Sequence, residues 1–286
     1  MKNKTTKELV SQNILLLLPL ILYGLYKNGY LLYNKKLVSL LYVFKPLYFV
    51  LIGVAIKLLY DIIKNKKLLI DYDLVSLILI GMIVPYKTNL VIYAISMIVL
   101  YISSKLIPKN ITYNKVCMWY VIIILINHFI SSASFLSPLE LKYDFDFSFM
   151  DLLLGRSVGG ISSTSIIFSL FAYTIFLCNN YYKKDIPFVI NITYLCLAII
   201  YYAITKEVSI LINSDLIFGS IFVSTLPEYS PYSVKYQVVF GVAIGAISFI
   251  LSMYFSSIIS VYLSTLFASL FLNINLLRRK KYERKN

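Results

Sequence analysis

The apolar positions of this chain form long blocks that are separated by short polar connections. Ten such blocks lie at residues 13–26, 38–60, 70–85, 88–104, 115–131, 160–178, 187–204, 208–226, 237–253 and 256–275. Blocks of this length form helices that enter a bilayer, and short connections make neighbouring helices antiparallel. The pattern predicts an all-α polytopic membrane protein with about ten transmembrane helices, in a single transmembrane domain over residues 1–286.

Two of the blocks are short and closely similar to each other. Each begins with Asp-Leu, at Asp73 and at Asp215, contains Gly, and reaches a Pro twelve residues after the Asp. Twelve helical residues span about 18 Å, which is less than the roughly 30 Å hydrocarbon core. Short, Pro-ended segments at matching places in two halves indicate a buried site in an internally repeated membrane protein. We therefore expect two inverted repeats, roughly 37–131 and 160–277, with short half-helices.

Composition and charge agree with a membrane location. The chain is 59% hydrophobic and 14% charged, whereas a soluble domain carries about 25% charged residues. Eighteen Lys and Arg residues fall on the side of the two termini and seven on the opposite side, so the positive-inside rule predicts a multi-pass cell-membrane protein with both termini cytoplasmic. The same rule explains the net charge of +14 without nucleic acid. The connection 27–36 fits this count poorly, and the longest connection, 132–159, faces outward.

The two Asp residues that open the short blocks have two interpretations. A carboxylate near a membrane span is costly and is therefore a candidate for an ion or proton path. An Asp at a helix start can also cap the helix and complement its dipole. Both interpretations remain open for Asp73 and Asp215.

A Gly-rich segment at residues 155–165 leads into the sixth block. It holds Arg156, which is the only Arg before the C-terminal tail, followed by hydroxyl residues at Ser162, Ser163, Thr164 and Ser165. Backbone amides at a helix start, hydroxyls and a guanidinium together suit a phosphate. The alternative is a Gly-rich turn with an N-cap, in which small residues let helices pack closely.

Other candidate groups are sparse. His128 has no second His with which to share a metal, and the three cysteines, Cys117, Cys178 and Cys196, are isolated, so the spacing predicts no metal site. The sequence contains no hydrolase triad, Walker loop or dinucleotide fingerprint. Ser131-Ser132-Ala133-Ser134, after the fifth block, and Lys109-Asn110-Ile111-Thr112-Tyr113-Asn114, before it, are weak signals when taken alone.

Taken in order, these segments resemble the RnfD/NqrB family of membrane subunits, over roughly residues 69–277. That family carries a Lys-Asn-x-Phe-Asn-Pro motif, a Leu-Leu-Gly-Asn-x-Pro-Gly-Ser-Ile-Gly-Glu-Thr-Ser motif and a Thr-Asp-Pro-x-x-Ser-Pro motif. The matching residues here are 109–114, 153–165 and Thr225-Leu226-Pro227-Glu228-Tyr229-Ser230-Pro231. The chain departs from the motifs at Lys115 (Pro in the family), Ser163 (Glu) and Leu226 (Asp).

The resemblance implies a ten-helix inverted-repeat fold that carries FMN on its outer face. In the family, FMN is esterified to the Thr of a Ser-x-Ala-Thr motif, and Ser134 occupies that position here. Whether FMN is attached through Ser134 or is bound without a covalent bond remains open. Cofactor contacts are expected from Ser134, Arg156, Ser162, Ser163, Thr164, Ser165, Asn110, Asn114 and Thr225, and an ion path from Asp73 and Asp215.

Two classes of function follow. The first is a membrane subunit of an Rnf- or Nqr-like complex, an ion-translocating oxidoreductase of the ferredoxin:NAD or NADH:quinone type, in which FMN carries electrons and other membrane and peripheral subunits are partners. The second is a non-redox transporter or channel, or a structural subunit, on the same scaffold. Flavin in the purified protein would distinguish the two classes.

Overall fold

A computed structural model describes residues 5–66, 69–107, 113–130, 149–206 and 213–283 of the chain. In this part of the chain all the regular structure is helical. The helices are α1 (Thr6–Leu25), a π-helical turn (Tyr26–Tyr30), α2 (Leu31–Asn34), α3 (Leu40–Val43), α4 (Lys45–Asn65), α5 (Tyr72–Ile83), α6 (Leu90–Leu106), α7 (Lys115–Ile130), α8 (Phe149–Leu154), α9 (Ile166–Leu177), α10 (Asp185–Thr205), α11 (Ser214–Phe218), a second π-helical turn (Gly219–Val223), α12 (Val234–Tyr254) and α13 (Ser257–Glu283).

Each of the ten predicted apolar blocks contains an apolar helix in the described part of the chain. Within the described residues, four helices are long and apolar enough to cross a membrane: Thr6–Asn34, Lys45–Lys64, Asp185–Thr205 and Val234–Tyr254. Large apolar side chains on the outside, such as Leu15, Ile98 and Ile199, are about half exposed or more, as expected for side chains that face lipid. The all-α polytopic membrane fold is therefore confirmed.

The two short Pro-ended helices are also present. α5 has 12 residues, begins at the N-cap Asp71 and ends before Pro85. α11 and its π-helical turn together begin at the N-cap Asn213 and end at Val223. A glycine lets each short helix approach a neighbour closely, because a Cβ at Gly81 would lie 2.8 Å from the Phe49 carbonyl oxygen and one at Gly219 would lie 2.7 Å from Val261.

A buried lysine holds the break that follows each short helix. At the start of α4, Lys45 donates to the Tyr86 carbonyl at 2.6 Å and lies over the Tyr86 ring, 4.6 Å from its centroid. Just before α10, Lys183 donates to the Ser230 carbonyl at 2.6 Å and lies over the Tyr232 ring at 4.2 Å. These matched contacts fit the repeat halves at 37–131 and 160–277, which remain a prediction.

The structure changes the bounds of several blocks. The first apolar helix runs over Thr6–Asn34, through Pro19 and the first π-helical turn, so it is longer than residues 13–26. Lys27 consequently lies inside this helix, where its side chain is buried, and not in a connection. This correction removes one cation from the less basic side and improves the agreement with the positive-inside rule. The sixth block begins as a helix only at Ile166, because residues 155–165 form a loop.

Candidate functional site

A buried polar cluster, here called the Asp215 cluster, lies at the start of the second short helix. Asn213 caps that helix, so the Asp215 carboxylate is free to contact other elements, and it is fully buried. Its Oδ1 accepts hydrogen bonds from the Ser163 hydroxyl and, at 3.4 Å, from the Tyr262 hydroxyl of α13. The Tyr262 ring packs on Tyr120 of α7, with ring centroids 4.5 Å apart. The cluster therefore joins four segments that are far apart in sequence.

The 155–165 loop brings Ser163 to this place by closing the carboxyl end of α5. The Ile161 amide donates to the Val84 carbonyl at 3.2 Å, and the Ser162 amide donates to the Met82 carbonyl at 2.8 Å. A helix end leaves carbonyls without intrahelical partners, and inside a membrane they need other donors. The loop supplies these donors, and in doing so it connects the end of one short helix to the start of the other.

The first helix contributes a cation to the same cluster. The Lys27 ammonium donates to the Ser157 carbonyl at 2.5 Å, and the Ser157 hydroxyl lies 3.1 Å from that of Ser214, the residue before Asp215. The neighbouring Asn28 amide donates to the Ile161 carbonyl at 2.7 Å. The π-helical turn thus anchors the 155–165 loop through two adjacent polar side chains.

The four hydroxyl residues predicted to hold a phosphate are all buried, at 0–1% exposure: Ser162, Ser163, Thr164 and Ser165. Ser165 is the N-cap of α9 and accepts a hydrogen bond from the Phe168 amide, as the alternative interpretation expects. Ser163 contacts Asp215, while the hydroxyls of Ser162 and Thr164 have no hydrogen-bond partner in the described chain. The run therefore belongs to the protein interior.

Arg156 is separated from these hydroxyls. Its side chain is 47% exposed and pairs with Asp151 of α8, with 3.1 Å between Nη1 and Oδ1. At the other end of the loop, a Cβ on Gly160 would already lie 2.8 Å from the Ile83 Cα. The hydroxyls of Ser162–Ser165 thus lie in the closely packed interior and apart from the Arg156 guanidinium, and their role as FMN phosphate contacts stays a prediction. Ser134 and Asn110 lie outside the described residues.

A second charged group, here called the Asp73 cluster, lies at the start of α5. Asp71 caps the helix, and the Asp73 carboxylate pairs with the ammonium groups of Lys105 and, at 3.1 Å, Lys115. Lys115 also lies 3.6 Å from Glu228. Two cations therefore neutralise a nearly buried carboxylate, in contrast to the hydroxyl-rich surroundings of Asp215.

Asn114 and Thr225 lie together near the Asp73 cluster, where the second short helix ends. The Asn114 amide donates to the Val223 carbonyl at 3.0 Å, and its Oδ1 accepts from the Cys117 amide at 3.2 Å. Thr225 donates to the Ile221 carbonyl at 2.5 Å. Both side chains thus satisfy helix ends. Asn114 contacts the end of the second short helix, and the next residue, Lys115, contacts Asp73 at the start of the first. The two short helices are therefore antiparallel, and Asp73 and Asp215 are separated by the length of one short helix, about 15 Å.

The sequence does not predict several residues of these clusters. Lys27 and Lys105 appear there only as connection charges, Lys115 as a connection charge and a departure from the family motif, and Tyr262 carries no signal. A charged residue next to an apolar block was the one available signal, because such residues face the protein interior and find partners there. For metals, the described chain holds no group of three His, Cys, Asp or Glu residues close enough to bind an ion.

Comparison with known proteins identifies the family. No individual curated protein matches the sequence. The profile of the NQR2, RnfD, RnfE family, however, matches residues 1–280, which is nearly the whole chain. Members of this family are membrane subunits of multi-subunit Rnf/Nqr-type complexes, and the ten apolar helices and matched short helices agree with that assignment. The chain therefore belongs to the NQR2, RnfD, RnfE family.

Proposed function

We propose that the chain is the membrane subunit of an Rnf/Nqr-type electron transport complex and that its two short helices frame a path for the coupled ion. The observation that carries the proposal is the buried Asp215 carboxylate at the start of one short helix. The corresponding Asp73 lies at the start of the other short helix, and the two starts are at opposite ends of this antiparallel pair. An ionisable side chain inside a membrane protein is costly and marks an ion or proton pathway by default.

The two carboxylates are not equivalent, which gives the path a direction. Asp73 is on the side where α1 begins, because Tyr72 and Thr225 line a cleft with Leu9 of α1. Its two lysine partners are partly exposed, at 27% and 20%. Asp215 is fully enclosed. An ion that passes between these positions would thus exchange with solvent at Asp73 and be dehydrated at Asp215.

We place the FMN outside the packed hydroxyl run. The remaining phosphate contacts are Ser134, which takes the position of the family's esterified Thr, and Arg156, whose guanidinium is exposed beside the same outward connection. When bound, FMN would supply the electron-carrying chemistry, and the residues of this chain would position it and set its surroundings. Electrons would reach it from partner subunits.

The flavin assignment is tested on the tagged chain purified from its native membranes with its partners. We expect flavin absorbance, and fluorescence that remains with the chain on a denaturing gel in the wild type and in Ser132→Ala but is lost in Ser134→Ala. Flavin that is present but never fluoresces on the gel would show non-covalent binding.

The ion path is tested in proteoliposomes that contain the assembled complex. Asp215→Asn should remove charge movement coupled to electron transfer, whereas Asp185→Asn, a carboxylate at the first turn of α10, should preserve it. A preparation that lacks both flavin and redox subunits, and that moves ions without a redox partner, would instead establish the transporter alternative.

A further inference from the structure

The start of the first short helix carries more positive charge than one carboxylate can neutralise. Asp73 pairs with two ammonium groups, those of Lys105 and Lys115, whose side chains are 27% and 20% exposed. A cation that approaches Asp73 from solvent therefore meets two positive charges beside the carboxylate. Asp73 can hold that cation only if one ammonium moves away, and the surroundings of each lysine indicate which one does.

Lys105 is held at Asp73 by its neighbours. Its ammonium lies 5.1 Å from the centroid of the Tyr101 ring and 5.9 Å from that of the Tyr60 ring, and aromatic faces attract cations. Among the described residues it pairs with no carboxylate other than Asp73. Lys105 thus has no second anion to which it could move.

Lys115 has a second carboxylate within reach. Its ammonium lies 3.1 Å from Asp73 Oδ1 and 3.6 Å from Glu228 Oε2, so it is hydrogen-bonded to the first and only close to the second. The Tyr229 hydroxyl donates to Glu228 Oε2 at 2.5 Å and fixes this carboxylate. Because lysine carries its three donors on a flexible four-carbon stem, rotation of the side chain alone transfers the ammonium from Asp73 to Glu228.

The two carboxylates belong to different short helices. Asp73 lies in the first turn of α5, whereas Glu228 follows Pro227 in the break after the second short helix. Lys115 begins α7 and joins these two places. It stands where the family motif has Pro, so the contact with Glu228 depends on a residue that the motif does not contain.

We propose that Glu228 is a positioning residue of the ion path, which accepts the Lys115 ammonium when a monovalent cation arrives and so leaves Asp73 free to hold that cation. The inference rests on the proposed role of Asp73 in an ion path. At an effective dielectric constant of about 20, moving an ammonium from about 4 Å to about 8 Å from a bound cation strengthens cation binding on the order of 10-fold.

The experiment uses Na⁺ as the probe cation and the purified full chain in detergent at fixed pH. The unfolding midpoint is followed as NaCl replaces choline chloride at constant ionic strength, because a ligand of the folded chain raises that midpoint. We expect Glu228→Gln to raise the half-saturating Na⁺ concentration on the order of 10-fold and Lys115→Met to lower it by a similar factor. Glu228→Asp should stay closer to wild type than Glu228→Gln, and Asp73→Asn should abolish the response.

The double variant Lys115→Met/Glu228→Gln separates positioning from simple attraction of cations. If Glu228 acts through Lys115, the double variant should match Lys115→Met within about twofold. If Glu228→Gln weakens Na⁺ binding equally with and without Lys115, the proposal is wrong. Asp185→Asn, which removes a carboxylate from the first turn of α10, is the matched control and should leave the half-saturating concentration unchanged.

A second readout comes from the assembled complex in proteoliposomes. There Glu228→Gln should raise the ion concentration for half-maximal charge movement more than it lowers the maximal rate, which a general loss of structure would not do. If Lys115→Met does not fold, Lys115→Gln takes its place. Midpoints that ignore Na⁺ in every folded variant, or an unchanged half-saturating concentration in Glu228→Gln, would overturn the proposal even in a complex that couples ion movement to electron transfer. The expected Na⁺ binding in a complex without such coupling would instead refute the proposed function alone.

Discussion

A single methyl group added at Gly160 should loosen the connection between the two short helices. In Gly160→Ala the new Cβ would lie 2.8 Å from the Ile83 Cα and 2.9 Å from the Ile83 carbonyl oxygen, and it would overlap the Ser163 hydroxyl. Backbone atoms at a helix end cannot rotate away, so the 155–165 loop must shift. That shift strains its hydrogen bonds to Met82 and Val84.

The size of the effect follows from these contacts. Overpacking of a tightly packed interior costs roughly 1–3 kcal/mol, and each kcal/mol lowers the unfolding midpoint by about 2–4 °C in a chain of 150–250 residues. We therefore expect a loss of several degrees. Because Ser163 moves with the loop, the same variant should also lower ion movement that depends on Asp215.

The assay is thermal unfolding of the purified chain in detergent, with Gly219→Ala as control. At Gly219 the added Cβ would meet only side-chain atoms, of which the Val261 Cγ1 at 2.7 Å is the nearest, and these can move by side-chain rotation, so the loss should be smaller. Equal unfolding midpoints for Gly160→Ala and wild type would refute the view that the loop is packed against the end of α5.

Three further predictions concern charges and caps. Burial lowers the pKa of Lys183 to about 8 from 10.5. Between these pH values the unfolded chain binds more protons than the folded chain, so the free energy of unfolding should rise from pH 8 to 10.5. Lys183→Met should flatten that rise in a pH series of unfolding curves. Lys57→Met should cost about 3–5 kcal/mol, because it removes the ammonium that pairs with the buried Asp61 carboxylate. Denaturant titration checks this, and a loss below that of an exposed Lys35→Met variant would contradict it. Asn213→Ala should cost about 1 kcal/mol through loss of a helix cap, with Asn213→Asp retaining most of the stability.

The helices could be predicted from the sequence because lipid imposes a simple requirement. A segment that enters a bilayer must satisfy its own backbone and present apolar side chains, so composition along the chain was sufficient to locate ten helices. The two short helices were visible for a related reason, since Asp73 and Asp215 open them and Pro85 and Pro227 follow them.

The contacts between helices could not be predicted in the same way. Lys105 and Lys115 reach Asp73 across 32 and 42 residues of sequence, and nothing local indicates that pairing. The hydroxyl run before α9 suggested an exposed helix start, but the loop folds back on the end of α5 and buries it. Because Lys27 is charged, the apolar block in the sequence ends before it, and the first helix is therefore predicted too short.

The paired lysines at Lys45 and Lys183 have a mechanical consequence. Each attaches the break after a short helix to the start of the long helix that precedes it, through a carbonyl hydrogen bond and an aromatic ring. A short helix cannot slide alone without breaking this clamp. Any rearrangement that widens the space between the short helices must therefore move α5 together with α4 and α11 together with α10, as two rigid units.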